Sequence, residues 1–148
     1  MTEIRFYHLT RKDVTDALPE IVAKALSRGH RVLVKAQDAD RLPRLSEALW
    51  SHDPLSFLPH GQDGQAFDQA HLVWLTVTND NPNAADVLVL VDGVEAPAGT
   101  FSLCCDIFDG NDDIAVVTAR EKWKMHKAAG CDLAYFQQDD NGKWAKKQ

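Results

Sequence analysis

The chain has 148 residues, the size of one ordinary domain with one core, and we expect a single domain over residues 1–148. A hydrophobic share of 45% and a charged share of 26% are typical of a globular protein and exclude a disordered or fibrous chain. The formal net charge of -6 disfavours sequence-independent nucleic-acid binding, because the surface as a whole repels phosphate. Any bound anion must therefore meet a local basic patch.

The first fifty residues alternate between strand and helix patterns. Residues Ile4–Leu9 are rich in aromatic and β-branched side chains and predict a strand, and Arg31–Ala36 predict a second, buried one. Between them, Asp13–Gly29 carry an apolar stripe at helical spacing, and Gly29 supplies a stop. A second helix is predicted over Asp38–Trp50, with Asp38 or Asp40 as its cap. Its core stripe consists of Leu42, Leu45, Ala48 and Leu49.

Strand patterns dominate the second half of the chain. Strands are predicted over His71–Val77, Asp86–Gly93 and Phe101–Phe108, then a helix, then a hairpin about Asn141-Gly142. Strands that alternate with helices favour right-handed βαβ crossovers. We therefore predict a three-layer α/β fold of Rossmann-like type, with a mostly parallel sheet and helices on both faces.

Motifs for cofactors and catalysis are missing from the sequence. The loop after the first strand, LTRKDVTD, contains no glycine that would let the backbone approach a pyrophosphate, and no GxGxxG or Walker pattern occurs. The six histidines form no HxH or HExxH pair, and the carboxylates of Asp109–Asp113 are explained by helix capping. We expect no cofactor, no metal site and no catalytic residues.

Sorting signals and reactive cysteines are equally absent. The N-terminus MTEIRFYHLT lacks a secretory signal pattern and no apolar run has membrane-spanning length, so we expect a cytoplasmic protein. Cys104, Cys105 and Cys131 have no CxxC spacing, which disfavours a disulfide framework or a thiolate metal site. We expect all three to be buried free thiols.

The stretch AREKWKMHKAAG places cations around a tryptophan in an acidic chain. At about 100° per residue, one helical side carries Ile114, Val117, Met125 and Ala128, and we predict that this side faces the core. Nearly opposite lie Val116, Arg120, Trp123 and Lys127, with Lys124 at the border. Two interpretations stay open: Trp123 packs under a loop or a terminal strand, or the face binds an acidic, hydrophobic peptide.

Several stretches together carry a resemblance over nearly the whole chain. RFYHL, ALSRGHRVLVKAQD, RLSEALWSHDPLSFLPHG, ADVLVLVDG and AREKWKMHKAAGCDL resemble the chi subunit family of bacterial DNA polymerase III. The resemblance implies a non-catalytic accessory subunit with a Rossmann-like fold that binds no nucleotide. It also implies a link between the clamp loader and single-stranded DNA-binding protein (SSB), whose acidic tail ends in proline, phenylalanine and a free carboxylate.

The resemblance also suggests which residues bind the SSB tail. The family's arginine corresponds to Arg120, its aromatic residue one turn on to Trp123, and its next lysine to Lys124. Val116 stands where the family carries a lysine, and Trp123 where it carries a tyrosine, so Lys127 or a larger aromatic contact is expected to compensate. The expected SSB-tail set is Val116, Arg120, Trp123, Lys124, Lys127 and Phe108.

A second surface implied by the resemblance serves psi, the partner that tethers chi to the clamp loader. It involves Trp50, Phe57 and Pro59, which can anchor a partner or can plug the end of the sheet. The chain is then a monomer or a heterodimer with psi, contacts DNA only indirectly and no membrane. Two other functions remain open: an enzyme with a degenerate nucleotide fold, and a domain that binds nucleic acid through its basic helix.

Overall fold

The computed structural model describes residues 3–10, 13–51, 60–62, 72–95, 101–139 and 143–147. The strands are β1 (Glu3–Leu9), β2 (Val32–Lys35), β3 (Gly61–Gln62), β4 (Val73–Thr76), β5 (Val87–Leu90), β6 (Leu103–Asp109), β7 (Asp132–Gln138) and β8 (Trp144–Lys146). The helices are α1 (Val14–Ser27), α2 (Leu42–Ser51) and α3 (Asp113–Ala128), and a short 3-10 turn, Ala39–Arg41, precedes α2. No helix in these ranges is long and apolar enough to cross a bilayer.

The described strands form one sheet in the order β3-β4-β2-β5-β6-β1-β7-β8. All neighbouring pairs are parallel except β7 and β8, which are antiparallel. The strand β1 lies between β6 and β7, which are the two most C-terminal of the parallel strands. The predicted mostly parallel sheet is confirmed, as is the predicted pairing of two final antiparallel strands.

Two cores lie on opposite faces of the sheet. One contains Tyr7 and Leu9 of β1 with the apolar stripes of α1 and α2, including the predicted Leu45 and Leu49. The other contains Ile4 and Phe6 of β1 with α3. Successive β1 residues point to opposite faces because side chains alternate along a strand. The predicted α/β fold with helices on both faces is confirmed.

Aspartate side chains cap the starts of two helices, and a glycine follows the end of one. Asp13 caps α1 in a reciprocal capping box with Asp16, and Asp112 caps α3 by accepting from the backbone N–H groups of Ile114 and Ala115. Gly29 follows α1 with a φ of 82°, a conformation that only glycine adopts without strain. The acidic loop before α3 therefore serves its helix, as the sequence predicts.

The orientation of α3 differs from the prediction. Ile114, Val117 and Met125 are 79%, 53% and 55% exposed, whereas Ala119 and Lys122 are buried against the sheet. The expected core stripe is wrong because the opposite side of α3 packs on the sheet, with Val116 and Trp123 in contact with the core and Lys122 paired with a buried aspartate. The buried charge of Lys122 is tolerated because Asp106 of β6 lies opposite it.

The Lys122 ammonium donates two hydrogen bonds beneath α3. Its Nζ atom donates to Asp106 Oδ2 at 2.9 Å and to the carbonyl oxygen of Val94 at 2.6 Å. Both charged side chains are about 5% exposed or less. Burial raises the pKa of Asp106, and the positive charge of Lys122 opposes that shift. This ion pair ties α3 to β6 and to the loop after β5.

The three thiols are free, as predicted. Cys104 and Cys105 are buried in strand β6, while Cys131 is partly buried at the start of β7. Burial raises the pKa of the Cys105 thiol to about 12, so this thiol is protonated and unreactive at neutral pH.

Candidate functional site

An aromatic cluster lies beneath α3, on the sheet face formed by β1, β6 and β7. Its members are Phe6, His8, Phe108, Trp123 and Tyr135. Trp123 packs 5.6 Å from Phe6 and 6.0 Å from Tyr135 between ring centroids, and the His8 imidazole lies 5.1 Å from Phe108. Edge and tilted contacts at these distances are favourable for aromatic rings. The cluster gives the end of the sheet a rigid, partly exposed aromatic surface.

Strand register brings these residues together. His8 of β1 is opposite Phe108 of β6, and Phe6 of β1 is opposite Tyr135 of β7. Trp123 of α3 lies over the neighbouring rings and is only partly buried. The interpretation that Trp123 packs against a strand is thus confirmed in part, because the indole contacts strand residues while some of its surface stays accessible.

Arg120 stands exposed beside this cluster. Burial lowers the pKa of His8 and raises the pKa of Tyr135, and the positive charge of Arg120 adds to the first shift and opposes the second. Arg120 makes no ion pair with any residue of the described ranges. An exposed, unpaired guanidinium next to an aromatic surface is a suitable receptor for a carboxylate attached to an apolar group.

The remaining predicted residues of α3 have distinct positions. Val116 is partly buried and packs against the same core as Trp123, whereas Lys124 and Lys127 are exposed. Phe108 is 3% exposed, so it supports His8 and Tyr135 from below. We call Val116, Arg120 and Trp123, together with the aromatic cluster below them, the α3 site.

Sequence reasoning missed three members of the α3 site, Phe6, His8 and Tyr135. The Nδ1 atom of His8 hydrogen-bonds to the Tyr135 hydroxyl group. Burial, above all, lowers the pKa of His8, and Asp109 opposes this effect. Because side chains alternate along a strand, the sequence could have placed His8 on the same face of β1 as Phe6. The pairing of β1 with β7, however, depends on the order of strands in the sheet.

A separate cleft of about 710 Å³ lies at the carboxyl ends of the strands, between the first turns of α1 and α3. In doubly wound folds this crevice holds a nucleotide, with its phosphate at a helix N-terminus. Here the lining carboxylates are Asp13, Asp92, Asp109 and Asp112, and two of them cap the helices. Arg41 also lines the cleft but pairs with Asp92, so the net charge stays negative and opposes phosphate binding, because like charges repel.

Comparison with known proteins complements this geometry. The family described as DNA polymerase III chi subunit, HolC, matches residues 1–134. The chain belongs to the DNA polymerase III chi subunit family. The match spans α1, α2 and α3 and the strands from β1 into β7, so all members of the α3 site except Tyr135 lie within it.

Three relatives illustrate how far the similarity to chi subunits extends. The chain is 28% identical over 144 residues to the DNA polymerase III subunit chi of Escherichia coli, covering 90% of this chain and 96% of the relative. It is 26% identical over 137 residues to that of Haemophilus influenzae, covering 88% and 93%. A probable chi subunit of Rickettsia prowazekii is 23% identical over 91 residues, covering 62% and 55%.

The surface expected for a psi partner of chi lies largely outside the described residues. The backbone of Trp50 belongs to α2, but its side chain is outside that description, as are Phe57 and Pro59 entirely. Whether these residues anchor a partner or close the end of the sheet therefore stays a prediction.

The position of Arg120 beside His8 predicts a change in titration. In the Arg120→Ala variant the pKa of His8 is expected to rise toward its ordinary value of 6.5, because a neighbouring positive charge that disfavours the imidazolium is gone. An NMR titration of the His8 ring protons measures this pKa. Lys124→Ala, on the same helix, is the control and should leave it unchanged. Equal pKa values in the native chain and Arg120→Ala would contradict the proximity of the two side chains.

Proposed function

We propose that this chi-family protein is a non-catalytic accessory subunit of DNA polymerase III that binds the acidic C-terminal tail of SSB through the α3 site. The observation that carries the proposal is the exposed Arg120 guanidinium, unpaired within the described ranges, next to a partly exposed Trp123. Membership of the chi family supports the assignment to the polymerase complex.

The chemistry of such a tail fits the α3 site group by group. The terminal carboxylate would pair with Arg120, whose planar guanidinium can bind both carboxylate oxygens at once. The terminal phenylalanine would rest on Trp123 and Val116, which offer apolar surface. Lys124 and Lys127, both exposed, would attract the acidic residues that precede it. Because Val116 replaces a family lysine, apolar contact contributes more here and charge contributes less.

The other side of the link is proposed to run through psi. Trp50, Phe57 and Pro59 would contact a psi-type partner of the clamp loader. The chain would then be a heterodimer with psi when this partner is bound and a monomer otherwise, in the cytoplasm. SSB would then supply the connection to DNA, since a chain with a formal charge of -6 is repelled by a bare phosphate backbone. In this arrangement the chain contributes binding and no chemistry.

A fluorescence-anisotropy titration with a labelled SSB-tail peptide tests the proposal. Affinity in the micromolar range, about −8 kcal/mol, is expected for the native chain. Arg120→Ala is expected to weaken binding roughly tenfold or more, because a charge-assisted hydrogen bond to the carboxylate is lost. Affinity should also fall with added salt, which screens exposed charges.

Two controls make the titration decisive. Arg44→Ala removes an exposed arginine from α2, on the opposite face of the sheet, and should leave the affinity unchanged. The same peptide with an amidated C-terminus should bind the native chain about as weakly as the free peptide binds Arg120→Ala. Equal affinity for the free and amidated peptides would refute the assigned role of Arg120, and no binding by the native chain would refute SSB-tail recognition.

A further inference from the structure

A second amphipathic groove lies on the opposite face of the sheet from α3. It is bounded by the second half of α1 and by β1, β6, β7 and β8, near the amino-terminal ends of β5 and β6, and has a volume of about 250 Å³. We call it the α1 groove. Its apolar lining consists of Tyr7, Ile21, Ala25, Val87, Leu103 and the aromatic rings of Phe136 and Trp144.

Three aromatic side chains form one wall of the α1 groove. Tyr7 stacks on Phe136 with a centroid separation of 5.2 Å, and Trp144 meets Tyr7 edge-on at 5.1 Å. Tyr7 is buried, while Phe136 and Trp144 are only partly buried. A preformed wall of this kind offers apolar contact without ordering new side chains, which lowers the cost of binding.

The rim of the α1 groove carries more positive than negative charge. Lys24, in the last turn of α1, and Arg28, its C-cap, are exposed, and neither side chain forms an ion pair in the described part of the chain. The other basic lining residues are engaged: Arg5 pairs with Glu3 at 3.0 Å and His30 with Asp86 at 2.5 Å. Glu20 is the carboxylate among the lining residues. Lys24 and Arg28 therefore favour an anion at the mouth of an apolar groove.

We propose that the α1 groove binds a small apolar carboxylic acid, with its ring or short chain against Phe136 and Trp144 and its carboxylate at Lys24 and Arg28. The volume is below the roughly 300–1,000 Å³ of sites for larger ligands, so a nucleotide does not fit. The groove offers no reactive nucleophile in its floor, because the Cys105 thiol is buried and its pKa is raised to about 12. Binding is therefore reversible and non-covalent.

Titration of 3-phenylpropionate into the ¹⁵N-labelled full chain, followed by the indole N–H signals, tests this site. A saturable shift of the Trp144 signal is expected, while Trp123, in the α3 site, should not move. The double variant Lys24→Ala/Arg28→Ala should weaken binding roughly five- to tenfold, as expected for the loss of two exposed charge contacts. The neutral alcohol 3-phenylpropanol should bind the native chain as weakly as the acid binds that variant.

Several results would overturn the assignment. Equal affinity for the acid and the alcohol would show that the charged rim contributes nothing, and a shift confined to Trp123 would place the acid in the α3 site. Lys127→Ala, on α3, is the matched control and should leave the binding of 3-phenylpropionate unchanged. If an SSB-tail peptide displaces 3-phenylpropionate from Trp144, the α1 groove binds a peptide instead. The Trp144 signal reports on the α1 groove alone, so this test does not depend on whether the α3 site binds the SSB tail.

Discussion

Replacing Asp106 by alanine is expected to lower the free energy of unfolding by about 3–5 kcal/mol. The substitution would leave the Lys122 ammonium buried under α3 with only the Val94 carbonyl oxygen as a partner, and an unpaired buried charge is costly. Urea denaturation followed by circular dichroism measures the change. Loss of the ion pair is also expected to displace α3. Because this helix carries Arg120 and Trp123, the affinity for the SSB tail should fall in the same variant.

The paired replacement separates charge from packing. Asp106→Leu/Lys122→Met removes both charges while keeping apolar volume, and it should recover most of the stability that Asp106→Ala loses. Glu121→Ala, at the exposed position next to Lys122, is the surface control and should change stability by less than about 0.5 kcal/mol. A double variant no more stable than Asp106→Ala would mean that the ion pair is not the source of the loss.

Gly110→Ala is expected to destabilise the chain by about 1–3 kcal/mol and to weaken binding at the α3 site. A Cβ atom at this position would lie 1.9 Å from His8 Nε2 and 2.6 Å from the carbonyl oxygen of Leu9. Both distances are far below van der Waals contact, so the imidazole and the loop after β6 must move. Urea denaturation gives the stability, and the anisotropy titration with the SSB-tail peptide gives the affinity.

The two clashes at Gly110 can be separated. His8→Ala/Gly110→Ala removes the imidazole and leaves the contact with the Leu9 carbonyl, so it should recover part of the stability relative to Gly110→Ala. His8→Ala alone supplies the reference for the lost His8–Tyr135 hydrogen bond. Native stability together with an unshifted His8 NMR signal in Gly110→Ala would contradict the close packing described for this turn.

Most of the fold could be predicted because its signals are local. The aromatic and β-branched composition of Ile4–Leu9, the apolar stripe of α1 and the capping residues before α3 each reflect a few neighbouring residues. The face of α3 could not be predicted in the same way. Ile114, Val117 and Met125 form its most apolar stripe, yet the sheet receives Ala119 and Lys122. That choice depends on Asp106, whose position opposite α3 is a property of the assembled sheet.

The α3 site was predictable only where it lies on one helix. Helical spacing groups Val116, Arg120 and Trp123, and the structure keeps them beside one another over the aromatic cluster. His8 and Tyr135 were missed because they come from strands far apart in sequence, whose adjacency requires the order β6-β1-β7. Nothing local in RFYHL distinguishes an imidazole that supports a site from one that is merely solvated.

The central position of β1 has a consequence for synthesis on the ribosome. Strand β1 pairs with strands that begin at Leu103 and Asp132, so its hydrogen bonds form only after about a hundred further residues have been made. Pairings of such high contact order close late, after the large loop-closure entropy has been overcome. His8, Phe108 and Tyr135 come from those three strands. A nascent chain stalled before β7 therefore contains Arg120 and Trp123 but no assembled α3 site, which forms only once β7 has been made.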